Sequence, residues 1–219
     1  MEDKKQKLEE IAQEVATCQR CSLYKNATNP VPGEGNPEAE VMFIGEGPGY
    51  WEDQKGIPFC GAAGKLLDEL LASIGIKRRD VFIGNVVKHR SPENREPLPE
   101  EIEACQEFLD RQIEIIQPKV IVTLGRFSLN KFLPEGRITQ IHGRARMVEF
   151  QGQRITLVPM FHPAAALRRG EVMELLKQDF LKLSNYLKNE EDSKIQAIDN
   201  EEIIKNEGKK GEDLQLPLI

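Results

Sequence analysis

Between residues 41 and 64 the chain changes character twice, and few folds accommodate that order of events. Val41, Met42, Phe43 and Ile44 form a short apolar run closed by turn residues, which reads as a buried strand. Gly45, Glu46, Gly47, Pro48 and Gly49 follow, and that composition cannot continue a strand. Gly61 and Gly64 then open an amphipathic helical pattern beginning near Ala62. Strand, glycine-rich loop and helix in this order build a pocket at the carboxyl end of a sheet. The loop carries the carboxylates Glu46, Glu52 and Asp53 and the aromatics Trp51 and Phe59. A loop of such mixed chemistry is costly to order unless it binds something.

The remainder repeats the same grammar. Apolar, β-branched runs recur at residues 41–44, 81–87, 120–124 and 155–158. Helical periodicity separates them at 62–74, 99–116 and 126–133, with further helices predicted at 4–16 and 171–187. Pro99 followed by Glu100 and Glu101 is a strong helix start. Residues 28–40, rich in Pro and Gly, read as a loop. This alternation predicts an α/β fold: a three-layer sandwich with a central, mainly parallel four-stranded sheet flanked by helices. A chain of 219 residues suits one well-cored domain. The periodicity dissolves after residue 188, so the expected division is a folded domain at 1–188 and a flexible, charged tail at 189–219.

Charge does not decide the partner. The net charge is −6, but residues 188–219 hold nine acids and five lysines and so account for −4. A body at −2 can still carry a local basic face, for which Lys88-His89-Arg90 and the pair Arg144 and Arg146 are the candidates. No apolar run reaches membrane-spanning length, and the amino terminus lacks a signal-peptide core. A cytoplasmic, monomeric protein with no membrane contact is expected. In that compartment four cysteines, Cys18, Cys21, Cys60 and Cys105, favour metal binding or incidental thiols over disulfides.

Several residues carry potential chemistry. Cys18 and Cys21, two residues apart, form a chelating pair that needs two more ligands. Cys105 is a candidate third, on the helix after the second strand, and Cys60 and His89 compete for the fourth place. Buried structural thiols are the plainer reading of the cysteines. Likewise a solvent-facing, phosphate-attracting ring is the plainer reading of His89. Asn85 lies in an apolar strand, where its amide must be hydrogen-bonded or reserved for a ligand such as a nucleobase edge. A strand-end cap is the alternative. His162 follows the fourth strand, and Pro163 suits a first helical turn. A histidine at the carboxyl end of such a strand is well placed for catalysis.

Taken in order, these pieces resemble one family. Gly45-Glu-Gly-Pro-Gly49, Glu52-Asp53, Gly56-Ile-Pro-Phe-Cys-Gly-Ala-Ala-Gly64, Asn85-Val-Val-Lys88, Pro92-Glu-Asn-Arg95, Thr123-Leu-Gly125 and His162-Pro163 are similar to the motifs of the family 4 uracil-DNA glycosylases, the iron–sulfur branch. The resemblance covers roughly residues 18–187. It implies a uracil-DNA glycosylase that flips uracil from DNA and hydrolyses the N-glycosidic bond in base excision repair, within the nucleoid. Glu46, Glu52 and His162 would be catalytic, Gly47, Phe59 and Asn85 would hold the base, and Asn94, Leu167 and Arg168 would contact DNA. A structural [4Fe-4S] cluster would sit on Cys18, Cys21, His89 and Cys105. The family has Cys where this chain has His89. A related cross-linking group shares that His-containing string, but its basic insertion is missing between Ser91 and Pro99, so no cross-link is expected. The competing expectations are a glycosylase for another deaminated base and a binding module that does not cut. Finally, Gln215, Leu216, Pro217, Leu218 and Ile219 resemble the short peptide by which bacterial proteins dock on the DNA sliding clamp, with Ile219 in place of the usual Phe.

Overall fold

A computed structural model describes residues 4–188. It contains the expected layers. The sheet is built on β2 (Val41–Gly45), β3 (Phe82–Asn85), β4 (Val120–Leu124) and β6 (Gln153–Met160). Two short edge strands complete it, β1 (Glu34–Gly35) and β5 (Arg146–Phe150). The order is β1-β3-β2-β4-β6-β5, with both edge strands antiparallel and all four central strands parallel. The sheet therefore has six strands where periodicity predicts four. The two innermost strands, β2 and β4, are buried along their whole length because both faces are covered. The edge strands escape a pattern search: β1 is a Glu-Gly pair inside the Pro/Gly-rich loop, and every residue of β5 keeps some exposure.

Strand alternation sends side chains into two cores. Met42, Ile44, Phe82, Ile121 and Leu157 pack under α1 (Lys4–Ala16) and α4 (Pro99–Ile116). Val41, Phe43, Ile83, Val122 and Val158 pack under α3 (Ala62–Ser73) and α8 (Gly170–Lys188). The stacked rings of Phe43 and Phe180, 6.1 Å apart, tie β2 to α8. The loop between β2 and α3 contains one short helix, α2 (Tyr50–Lys55), that periodicity does not predict. Short helices α5 (Arg126–Phe132), α6 (Ile138–Ile141) and α7 (Pro163–Ala166) complete the described α-helices. No helix among the described residues is long and apolar enough to cross a membrane.

This topology dictates where a site can form. From β2 the chain moves to β3 on one side, then crosses to β4 on the other. The crevice at the carboxyl ends of β2 and its neighbours is thus a topological switch point, the favoured binding position in open α/β sheets. Gly45, Asn85, Gly125 and His162 all lie at that edge.

Candidate active site

Gly45 and Asn85 are paired across the β2–β3 ladder. A Cβ on Gly45 would lie 2.5 Å from Asn85 Oδ1 and 2.7 Å from the Phe59 ring, so glycine is what leaves room for both. Asn85 is 1% exposed and its Oδ1 has no hydrogen-bond partner among the described residues. A buried, unpartnered acceptor costs about 1–3 kcal/mol, which is tolerable where a ligand completes the bond. The strand-end cap considered for Asn85 does not account for this oxygen.

Phe59 is buried, with a left-handed backbone at φ 47°. Gly64, in the first turn of α3, faces the Phe59 carbonyl so closely that any Cβ would overlap it. The glycines of this loop thus set the position of an aromatic ring. That ring stacks on His162 with centroids 5.5 Å apart and an interplanar angle of 26°.

His162 caps α7, and its Nδ1 accepts the Ala164 N–H at 3.1 Å. The neutral ring must therefore carry its proton on Nε2, which makes that nitrogen a donor. Burial pulls the imidazole down to about 4, the Glu52 carboxylate opposing weakly, so the ring is neutral at physiological pH. Gly125, at φ 94°, brings the turn after β4 against His162.

The carboxylates divide into different tasks. Glu52 Oε1 accepts the N–H groups of Cys60 and Gly61, both at 3.0 Å, and so closes the start of α3. Asp53 is buried and accepts the Thr28 N–H at 2.8 Å. Glu46 is half-buried directly after β2, and among the described residues no such anchoring bond holds its side chain. Desolvation raises its pKa, Glu96 adds to the rise and Arg126 opposes it. Gly47 lies against Val87, whose methyl would meet a Cβ at 2.7 Å.

Two expectations about the strand end after β3 are corrected. Lys88 is fully buried and His89 is only 7% exposed, so Lys88-His89-Arg90 is not a basic surface face and His89 is not solvent-facing. The Lys88 ammonium, held down to about 8 by burial, donates to the Asn85 carbonyl at 2.9 Å and to Gln112 Oε1 at 2.7 Å. This lysine supports the strand end that carries Asn85, a task sequence reading missed. The signal available was its place directly after the apolar pair Val86 and Val87.

The cysteines lie behind this strand end. Cys105 is buried in the α1/α4 core, and Cys18 and Cys21 pack against the same cluster. The Lys88 N–H donates to Cys105 Sγ at 3.2 Å, and the Leu23 N–H to the Cys21 sulfur. Burial raises the Cys105 thiol to about 11, the Lys88 charge opposing and the other two sulfurs adding to the rise. Three sulfurs in mutual electrostatic range, with amide donors and apolar walls, fit a soft metal centre. Among the described residues no group of three or more His, Cys, Asp or Glu side chains is already arranged around a metal position. Burial lowers the His89 pKa, with Asp53 as the opposing charge. Cys60 stands apart in the pocket loop, bonded through its N–H to Glu52.

Leu167 and Arg168 are exposed in the turn between α7 and α8, seated by buried Pro163 and Ala166. Asn94 is exposed at φ 56° and accepts from Arg90 Nε at 2.8 Å.

Comparison with known proteins bears on the family. The Uracil DNA glycosylase superfamily model matches residues 32–188. A type-4 uracil-DNA glycosylase of Archaeoglobus fulgidus is 49% identical over 181 residues, covering 80% of this chain and 91% of that protein. Those of Sulfurisphaera tokodaii and Thermotoga maritima are 47% and 43% identical, covering 80% and 84% of this chain and 83% and 96% of theirs. On these matches, which span nearly the whole described domain, the chain belongs to the type-4 branch of the uracil-DNA glycosylase superfamily.

Proposed function

We propose that this protein is a monofunctional uracil-DNA glycosylase, which hydrolyses the N-glycosidic bond of uracil in DNA and leaves an abasic site for base excision repair. The observation that carries this reading is the unpartnered Asn85 Oδ1, buried between Gly45 and Phe59 and beside a neutral His162 donor.

A base inside a duplex is out of reach, so it must be flipped into the pocket. There Phe59 stacks on its face. Asn85 Oδ1 accepts N3–H while its amide N–H donates to O4, a pairing that cytosine does not offer to the same rotamer. The bond from C1′ to N1 breaks, leaving the base as an anion and the sugar with oxocarbenium character. The Nε2–H of His162 stabilises the anion at O2 without itself becoming charged. Glu46, near C1′, steadies the cation and positions the water whose oxygen bonds to C1′. The proton released by that water balances the base anion. Glu52 acts on the loop, holding the α3 start that fixes Phe59. Gly47 lets the Glu46 turn lie close to Val87. Leu167 and Arg168 fill the space left by the base, and Asn94 meets the strand.

Cys18, Cys21 and Cys105, with His89 as fourth donor, would hold a [4Fe-4S] cluster. Such a cluster would supply a structural cross-link between the turn after α1 and α4. One imidazole among its ligands would raise its potential relative to all-Cys ligation.

The deciding experiment is excision from an oligonucleotide with one U opposite G, followed by alkaline scission. Asn85→Ala and His162→Ala each lower single-turnover excision about 100-fold or more, the scale of losing one preorganised donor. Full activity in either variant overturns that residue's role. Activity on hypoxanthine or xanthine that exceeds activity on uracil replaces the substrate assignment.

The predicted clamp peptide, residues 215–219, lies outside the described residues. We assign it a tether to the DNA sliding clamp, which raises local enzyme concentration on DNA. Deleting Gln215 to Ile219 abolishes clamp pull-down and leaves excision intact; retained pull-down removes the assignment.

A further inference from the structure

Two large aromatics stand in solvent at the edge of the base pocket. Tyr50 is 49% exposed and Trp51 57%, although α2 is otherwise firmly anchored. Its inner face is held by Glu52 on the α3 start and by buried Asp53 on Thr28. The Asn29 amide closes its far end on the Asp53 and Gln54 carbonyls, at 2.8 and 3.1 Å. With 52 and 53 turned inward, 50 and 51 are presented outward on a rigid turn.

The two rings meet edge to face, with centroids 5.2 Å apart and an interplanar angle of 78°. Arg90 lies over the Tyr50 ring at 5.1 Å, and its Nε is oriented by Asn94. Exposed Trp51, Tyr50 and Asn94 thus form one ridge with half-buried Arg90 as its cation. It begins one residue after Gly49, in the same loop as Glu46. Exposed aromatic faces beside a guanidinium match the chemistry of unpaired bases and their phosphates. A duplex offers no free base faces outside the flipped nucleotide, whereas a single strand offers one at every position.

We propose that the Trp51–Tyr50–Arg90 ridge is a stacking platform for unpaired nucleotides flanking the target, giving the enzyme a preference for single-stranded DNA. The inference rests on the glycosylase reading for its substrate, but the platform is testable without uracil. Trp51 is the only tryptophan in the chain, so its emission reports on this surface alone.

The full chain is titrated with a uracil-free oligothymidylate of about 16 nucleotides, a length within single-strand site sizes. Its duplex with oligoadenylate is titrated in parallel. Saturable quenching of Trp51 by the single strand, and little by the duplex, is expected. Base–aromatic stacking of about 1–3 kcal/mol corresponds to a loss of about 5- to 150-fold in single-strand affinity for Trp51→Ala or Tyr50→Ala. Anisotropy of a labelled strand reads that loss, and Trp51→Phe recovers most of it. The same alanine variants lower kcat/KM on uracil in single strands more than in duplexes. Unquenched emission at saturating single strand, or equal losses on both substrates, overturns the platform. Quenching without any uracil excision would instead overturn the activity and leave the platform standing.

Discussion

Two residues set the acid behaviour of the proposed chemistry. His162 binds a proton only near pH 4, so it remains a neutral donor well into acid. Glu46, held above the ordinary carboxylate range by burial and by Glu96, must be ionised to act. The acid limb of single-turnover excision therefore belongs to Glu46 and lies above pH 4.5, the ordinary value. Removing the repulsion in Glu96→Gln moves that limb to lower pH, and removing the cation in Arg126→Gln moves it higher. A limb unmoved by either variant assigns it elsewhere. His162 also weights stability: its folded pKa is depressed, so folding is favoured above 6.5 and loses that support as pH falls toward 4. Sequence pattern named Asn85 and His162 but not the state they are in. The tautomer follows from the Ala164 amide two residues on, whose direction is set only when α7 forms, and the unsatisfied oxygen follows from the Gly45 and Phe59 packing, which is not local in sequence.

Among the elements, α4 carries the heaviest polar anchoring. Glu101, 1% exposed, accepts from Arg95 through both oxygens at 2.9 and 2.7 Å, from the Leu98 N–H at 2.8 Å and from Ser22 at 3.0 Å. One carboxylate thus closes the start of α4, holds the 92–98 loop and pins the turn after Cys21. The Arg95 bonds, foremost, draw its pKa from 4.5 down to about 2. Its contribution is present above 4.5 and disappears as pH falls from 4.5 through about 2. Glu101→Ala should cost about 2 kcal/mol or more, since it removes a helix cap and part of a buried network. Denaturant unfolding measures this, and Glu101→Gln should flatten the stability profile below pH 4.5. A change under 0.5 kcal/mol would reduce Glu101 to a surface charge. The start of α4 was legible from Pro99, Glu100 and Glu101; the partners of Glu101 were not, because Ser22 lies 79 positions away. The edge strands were hidden for another reason. One residue pair leaves no periodicity, and a half-exposed strand resembles a loop in composition.

For the whole molecule, the fold class was legible because four parallel strands need continuous apolar runs and long crossovers, and both leave marks in sequence. The cysteine arrangement was legible only as a ligand set. That it lies directly behind the Asn85 strand end depends on Lys88, which bonds the Asn85 carbonyl with its side chain and Cys105 with its amide. A metal centre there would brace α1, α4 and the β3 end at once. Cys105→Ser should accordingly lower both bound iron and the melting temperature, by about 5 °C or more if bracing contributes about 2 kcal/mol. Equal melting temperatures at unequal iron content would separate the cluster from the fold.

The strand order has a consequence for synthesis. Glu46 and Asn85 are made early, directly after β2 and at the end of β3, but His162 arrives only after β6, which must pair beside β4. In the proposed mechanism, the residue that reads the base thus precedes β6 in the chain, and the donor that stabilises the departing base follows it. Under that mechanism, translation must pass the last of the four parallel strands before a chain can cut, so cleavage competence comes with completion of the central sheet.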